Sequence, residues 1–183
     1  MKKNNENAVS PVVGVMLMLI VTIIIAAIVS AFAGGSVSGV NKVPQATITG
    51  KFSISNGLEI IHSGGDGIAM SDVVFIVRDG TMFGQGLEQK TAQVVNRSII
   101  ANGKGVYLEN GTGILGFSSF MSGDSLFVTS ANSTCQYLQP GVNASGIASY
   151  CISNPDNIGK IFSLEVSDSR GNLISKSDVT ISP

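Results

Sequence analysis

The sequence predicts an α+β protein: a long hydrophobic N-terminal α-helix followed by an all-β, immunoglobulin-like β-sandwich domain. Three observations carry this expectation. An apolar run of 22 residues, Val12 to Ala33, lies inside thirty-four positions, Ala8 to Asn41, that hold no ionisable side chain. Beyond them, short runs rich in Val, Ile, Phe and Thr alternate with clusters of Gly, Asn, Ser and Asp, without a convincing 3.6-residue period. Charge is scarce, since Asp, Glu, Lys and Arg make up 13% of the 183 residues, about half of the ~25% usual in a globular protein. Eleven basic against twelve acidic residues leave no electrostatic footprint for a nucleic acid. No Trp, one His and two Cys remove most metal cages, so neither a cofactor nor a metal is expected.

Taken in order, the first element is the apolar run. As a helix at ~1.5 Å per residue it spans about 33 Å, enough to cross the hydrocarbon core of a bilayer. Thr22 and Ser30 interrupt it, but hydroxyls can bond back to the helix's own carbonyls. Ser10 is placed as N-cap and Pro11 at the first helical position, where a missing N–H costs nothing; Gly34-Gly35 ends the helix. Lys2 and Lys3 before the span keep that end cytoplasmic by the positive-inside tendency. Ala31-Phe32-Ala33 offers the small-x-small pattern of an ordinary signal cut, yet the run is longer than the roughly 7 to 15 apolar residues of such signals. A plain signal anchor is the other bland reading. Neither accounts for two ridges of small residues at four-residue spacing, Ala26, Ser30, Gly34 and Ala27, Ala31, Gly35, which let helix backbones approach closely.

The stretch from Ala8 to Phe32, AVSPVVGVMLMLIVTIIIAAIVSAF, resembles the N-terminal signature of archaeal type IV pilins, and its AVSPVVG core is more specific than hydrophobicity alone. It covers about a seventh of the chain. The resemblance implies that a prepilin peptidase removes a short charged leader just before or just after Ala8, with the Ala8/Val9 bond favoured. Asn7 stands where the family usually has a charge, with Glu6 one residue further back. The domains expected are then a cleaved leader (1–8), a helix that first spans the membrane and then lines a filament core (9–35), a hinge (36–45) and an exported β-domain (46–183). The implied partners are copies of the same chain in a helical homopolymer, the prepilin peptidase, the pilus assembly machinery and, before assembly, the membrane. The implied location is an extracellular pilus. Removing Lys2, Lys3 and Glu6 makes physical sense, because charges buried in a filament axis are costly.

Gly34 to Val43 has the composition of a flexible hinge that Pro44 closes. Strands are expected over 46–55, 58–62, 73–78, 91–100, 105–108, 125–129, 161–167 and 173–181. Asp79-Gly80 and Ser169 to Asn172 are turn signals, the second for a C-terminal hairpin. Cys135 and Cys151 enclose fifteen residues, and in an exported domain such a pair forms a disulfide stapling a surface loop. Acceptor sequons for N-glycosylation stand at Asn96, Asn110, Asn132 and Asn143.

Motifs that could carry chemistry are thin. Gly111 to Gly116 satisfies G-x-G-x-x-G but lacks the strand, helix and carboxylate a dinucleotide site needs, so a glycine-rich turn is expected. His62-Ser-Gly-Gly-Asp66 places imidazole, hydroxyl and carboxylate close together. There the expectation is structural, with a tight turn at Gly64-Gly65, Asp66 bonding turn amides and His62 packing at a strand end. The remaining acids are read as solvated loop carboxylates, with a loop-tip calcium site weighed and set below that. The function expected is a structural subunit of an extracellular type IV pilus serving surface adhesion or cell-cell contact, and not an enzyme. The alternatives are a minor pilin or membrane-anchored ligand-binding β-module, an archaellin, whose signature begins differently, and an exported hydrolase on a signal anchor.

Overall fold

The computed structural model of the chain describes residues 11–35, 42–138 and 150–183, and the chain divides into two units, Met1–Lys42 and Val43–Pro183. In the first unit, helix α1 runs Pro11–Gly35. It begins on the proline and ends on the double glycine, as the sequence leads one to expect. The leader and most of the hinge (1–10 and 36–41) lie outside the described residues.

The second unit is built from β1 (Ala46–Ser53), β2 (Gly57–Gly65), β3 (Ile68–Ala69), β4 (Val73–Asp79), β5 (Gln93–Val94), β6 (Ala101–Asn102), β7 (Ser119–Phe120), β8 (Ser125–Thr129), β9 (Ile161–Asp168) and β10 (Leu173–Ser182). Eight strands make one sheet in the order β5-β4-β9-β10-β1-β2-β8-β6, and β3 and β7 form a separate two-stranded ribbon. Within the large sheet, β6-β8-β2-β1 and β10-β9-β4-β5 are antiparallel halves. They meet at a parallel seam, where Phe52 pairs with Ile181 and Ser53 with Ser182.

The α+β class expected from the sequence is therefore present. The finer outline differs, because an immunoglobulin sandwich keeps its two sheets apart whereas this domain curls one sheet around its core. Serines account for the join. The Ser182 hydroxyl donates to the Phe52 carbonyl at 2.7 Å, and the Ile54 amide donates to the Ser182 carbonyl at 3.0 Å. Further along, Ser175 Oγ accepts from the Ile48 amide at 3.0 Å and donates to the Ile48 carbonyl at 3.3 Å, standing in for a backbone neighbour. Gly50 permits the close approach: a Cβ there would lie 2.5 Å from a Val179 methyl.

Alternation along the strands fills the space so enclosed. In β4, Val73, Phe75 and Val77 point inward with Asp79 while the residues between are half-buried. Ile48, Phe52, Leu58, Ile60, Leu126 and Val128 come from the other half, and the Phe52 and Phe162 rings meet edge to face at 5.6 Å across the two. Burying each such side chain stabilises the fold by roughly 1.5–3 kcal/mol.

Two expected strands are corrected. Of 91–100 only Gln93–Val94 is a strand, because the Asn96 side chain accepts from the Ser98 amide and turns the chain into a 3-10 helix at Arg97–Ile99. The segment 105–108 is no strand either. Asn102 Oδ1 accepts from the Lys104 and Val106 amides and winds it into a tight loop, leaving an isolated bridge between Ala101 and Tyr107. The β3-β7 ribbon was not expected.

Candidate functional site

In α1, every residue from 11 to 32 is exposed. Pro11–Phe32 is long and apolar enough to cross a membrane. The helix has no polar face, so it is not the amphipathic kind that lays one stripe on a core. Water is a poor environment for such a surface, and the stable alternatives are lipid or other apolar helices. Thr22 Oγ1 donates to the Leu19 carbonyl at 2.9 Å, so its hydroxyl is satisfied within the helix. The expected ridge residues Ala26, Ala27, Ser30 and Ala31 are all exposed, while Gly34 and Gly35 form the last turn. At 100° per residue the two rows lie next to each other and together span about half of the helix circumference. The expected cleavage residues Ala8 and Val9, and the expected cap Ser10, lie outside the described residues.

In the β-domain the residues that tempt an enzymologist are held structurally. His62 is fully buried, its ring edge-on to Phe120 at 5.1 Å, and its Nε2 donates to the Asp66 carbonyl at 3.0 Å. Gly64 and Gly65 do not turn as expected: they extend β2 and pair with Thr47 and Ala46 of β1, with Ser63 bulged out of register. Asp66 does bond a backbone amide, that of Gln45 at 3.1 Å. The G-x-G-x-x-G segment is a turn, with Asn110 Oδ1 accepting from the Thr112 and Ile114 amides and Gly113 at φ +77. Among the described residues, no group of three His, Cys, Asp or Glu could hold a metal ion.

The expectation of solvated acids is corrected at Asp79 and Asp168, which are buried. Asp168 closes the β9-β10 hairpin, accepting from Asn172 Nδ2 and the Asn172 amide, both at 2.8 Å, and from the Arg170 amide at 3.0 Å. The Asn172 side chain, with the backbone amides and Arg170, holds its carboxyl below the usual Asp range, against the opposing effect of burial. At Glu165, burial opposes ionisation, but Arg78 at 2.7 Å and Lys176 at 3.1 Å outweigh it, so its carboxyl is also held low. Both groups therefore add stability above the ordinary carboxylate range, and that contribution is lost as pH falls through their lowered values. We expect these groups to leave thermal stability flat between pH 7 and about 5, with the loss setting in below about pH 4. In melts of the full chain in detergent, Asp168→Asn should be less stable than wild type at pH 7. The gap should narrow towards pH 3, and a gap independent of pH would contradict this account.

Cys135 and Cys151 form the expected disulfide, with Cα atoms 5.5 Å apart. The tip of the loop it closes, 139–149, lies outside the described residues, and with it the sequon Asn143. Asn96 and Asn110 are exposed, whereas Asn132 is half-buried.

Comparison with known proteins bears on the helix. Residues 7–48 match the family described as archaeal type IV pilin, N-terminal, a match running from the end of the expected leader through α1 and the hinge into β1. An uncharacterized protein of Archaeoglobus fulgidus is 33% identical over 81 residues, which is 42% of this chain and 55% of that protein. The chain thus spans about half the length of this relative.

Proposed function

We propose, from the match of residues 7–48 to the archaeal type IV pilin N-terminal family, that this chain is a structural subunit of an extracellular type IV pilus. The observation that carries the reading is α1 itself: 25 residues without an ionisable side chain, in the segment that matches the pilin family. Such a helix can be stored in a bilayer as a precursor and then transferred to a second apolar environment, a bundle of identical helices. Leader removal next to Ala8 makes that transfer possible, because Lys2, Lys3 and Glu6 would otherwise enter the bundle. The β-domain then faces outward, with its termini of attachment at Val43 and its edges kept short by β5 and β6, two residues each, which limits strand-to-strand association between copies. Surface attachment or cell-cell contact is the role we assign to the filament.

Two experiments test this. N-terminal sequencing of the mature chain should begin at Val9 or Ala8. A start at Gly34, just after Ala31-Phe32-Ala33, would mean ordinary secretion, and a start at Met1 a permanent anchor. Separately, Ala26→Leu, Ser30→Leu and Gly34→Leu should each leave membrane insertion intact and reduce filament yield at least tenfold, since leucine keeps hydropathy but fills the space between helices. Normal filaments from all three would remove the packing role of the ridges.

A further inference from the structure

Of the three sequons within the described residues, two are presented in one way and the third in another. At Asn96, Oδ1 accepts from the Ser98 amide and the Ser98 hydroxyl, both at 2.9 Å. At Asn110, Oδ1 accepts from the Thr112 amide at 3.1 Å, the Thr112 hydroxyl at 2.7 Å and the Ile114 amide at 2.9 Å. A backbone amide can only donate, so the atom facing it must be the carboxamide oxygen. The Nδ2 of both residues is therefore the outward atom, on exposed side chains whose orientation is fixed. These bonds reach only two to four residues along the chain, so they can form without the rest of the fold.

Asn132 lacks this arrangement. It closes the 3-10 turn Ser130–Asn132 and is half-buried. The next residue, Ser133, is buried with its hydroxyl donating to the Val128 and Thr129 carbonyls at 3.1 and 2.9 Å. One residue past the sequon is Cys135 of the disulfide.

The two presented sequons are also neighbours. Arg97, inside the first, and Glu109, just before the second, form an ion pair at 3.4 Å, and Arg97 also donates to the Met70 and Ser71 carbonyls. Between the sequons in sequence, or flanking them, stand Val94, Val106, Tyr107 and Ile114, four of the nine large apolar side chains that are exposed among the described residues of the β-domain. Apolar surface that is costly in water thus adjoins, along the chain, the two outward-pointing carboxamides.

We propose that Asn96 and Asn110 carry N-linked glycans that together cover this patch, and that Asn132 stays bare. The co-substrate is an activated glycosyl phosphate. Nδ2 forms a bond to the anomeric carbon as the anomeric C–O bond to phosphate breaks, the phosphate leaves with the electron pair, and one Nδ2 proton passes to a base on the transferase. The inference does not depend on filament formation, because an exported anchored domain would meet the same chemistry.

The test is mass spectrometry of the full protein isolated from its native cells. A chymotryptic digest avoids the cut that trypsin would make at Arg97, inside the first sequon. Peptides containing Asn96 and Asn110 should each carry a sugar mass, and the peptide containing Asn132 none. Asn96→Asp and Asn110→Asp should each remove one glycan mass from the intact protein, and the double variant both. Asp keeps the oxygen that caps the turn, so the loss cannot be ascribed to a broken loop. Ser98→Ala should abolish modification at Asn96 as well. An unmodified Asn96 or Asn110, or a sugar on Asn132, overturns the proposal.

Discussion

Ile23→Asp is expected to leave the chain in the membrane and to abolish filaments. The two environments proposed for α1 tolerate a charge differently, and magnitudes decide which fails. Each Leu, Ile, Val or Phe near the middle of a span favours insertion by ~0.3–0.6 kcal/mol, and an Asp there opposes it by ~2.5–3.5 kcal/mol. With 13 such residues in Pro11–Phe32, insertion is favoured by about 4–8 kcal/mol, and one Asp, which also removes an Ile, takes back about 3–4. The balance stays favourable. A bundle of copies is less forgiving, because each subunit would bring an unpaired carboxylate into a dry, close-packed axis, at several kcal/mol per copy. Carbonate-resistant membrane retention close to wild type, with no fibres in micrographs, is the expected pair of results. Ile20→Asp, Ile24→Asp and Ile28→Asp combined should exceed the insertion margin and release the chain from membranes. Fibres of normal length from Ile23→Asp would mean that the middle of α1 does not lie in the filament axis.

Some of this molecule was legible in its sequence because only one physical solution fits the pattern. Twenty-two apolar residues between a proline and a double glycine form one uninterrupted helix, and α1 has those ends. Strands such as Val73–Asp79 and Ser125–Thr129 were legible because period-two alternation survives in them as a burial pattern. The failures come from side chains that compete with the backbone. Val94, Val95, Ile99 and Ile100 have strand propensity, but Asn96 captures the Ser98 amide between them and breaks the run. The seam was invisible for a different reason. Its pairing of Phe52 with Ile181 joins residues at opposite ends of the domain, and the one local sign of it, Gly50 within a strand, reads as a weak position until Val179 is seen against it. In α1 the sequence marked a helix with these two ends, while what covers its apolar surface depends on an environment that lies outside the chain.

Loss of the Cys135–Cys151 disulfide should lower the stability of the β-domain by about 3 kcal/mol, the loop-closure contribution of a fifteen-residue loop. For a domain of this size that is roughly 10 °C in melting temperature. Structural consequences should travel by a definite route. Both cysteines are buried, with Leu138 and Ile152 fully buried beside them in sequence. The Cys151 carbonyl accepts from Asn157 Nδ2 at 2.7 Å, and Asn157 Oδ1 accepts from Lys160 Nζ at 2.7 Å. Lys160 in turn lies 4.9 Å from the centre of the Phe83 ring and accepts from the Ile181 amide at its carbonyl, which ties the stapled segment to the end of β10 at the seam. Cys135→Ser, Cys151→Ser and the double variant should therefore lose similar amounts, since each removes the same cross-link. Amide exchange should accelerate first at Asn157, Lys160 and Ile181, while Ile60 and Leu126, on the other half of the sheet, keep their protection until global unfolding. A shift below 2 °C after verified reduction would show that the staple is dispensable, and exchange that accelerates evenly over both halves would show that it acts through the unfolded chain alone rather than along this route.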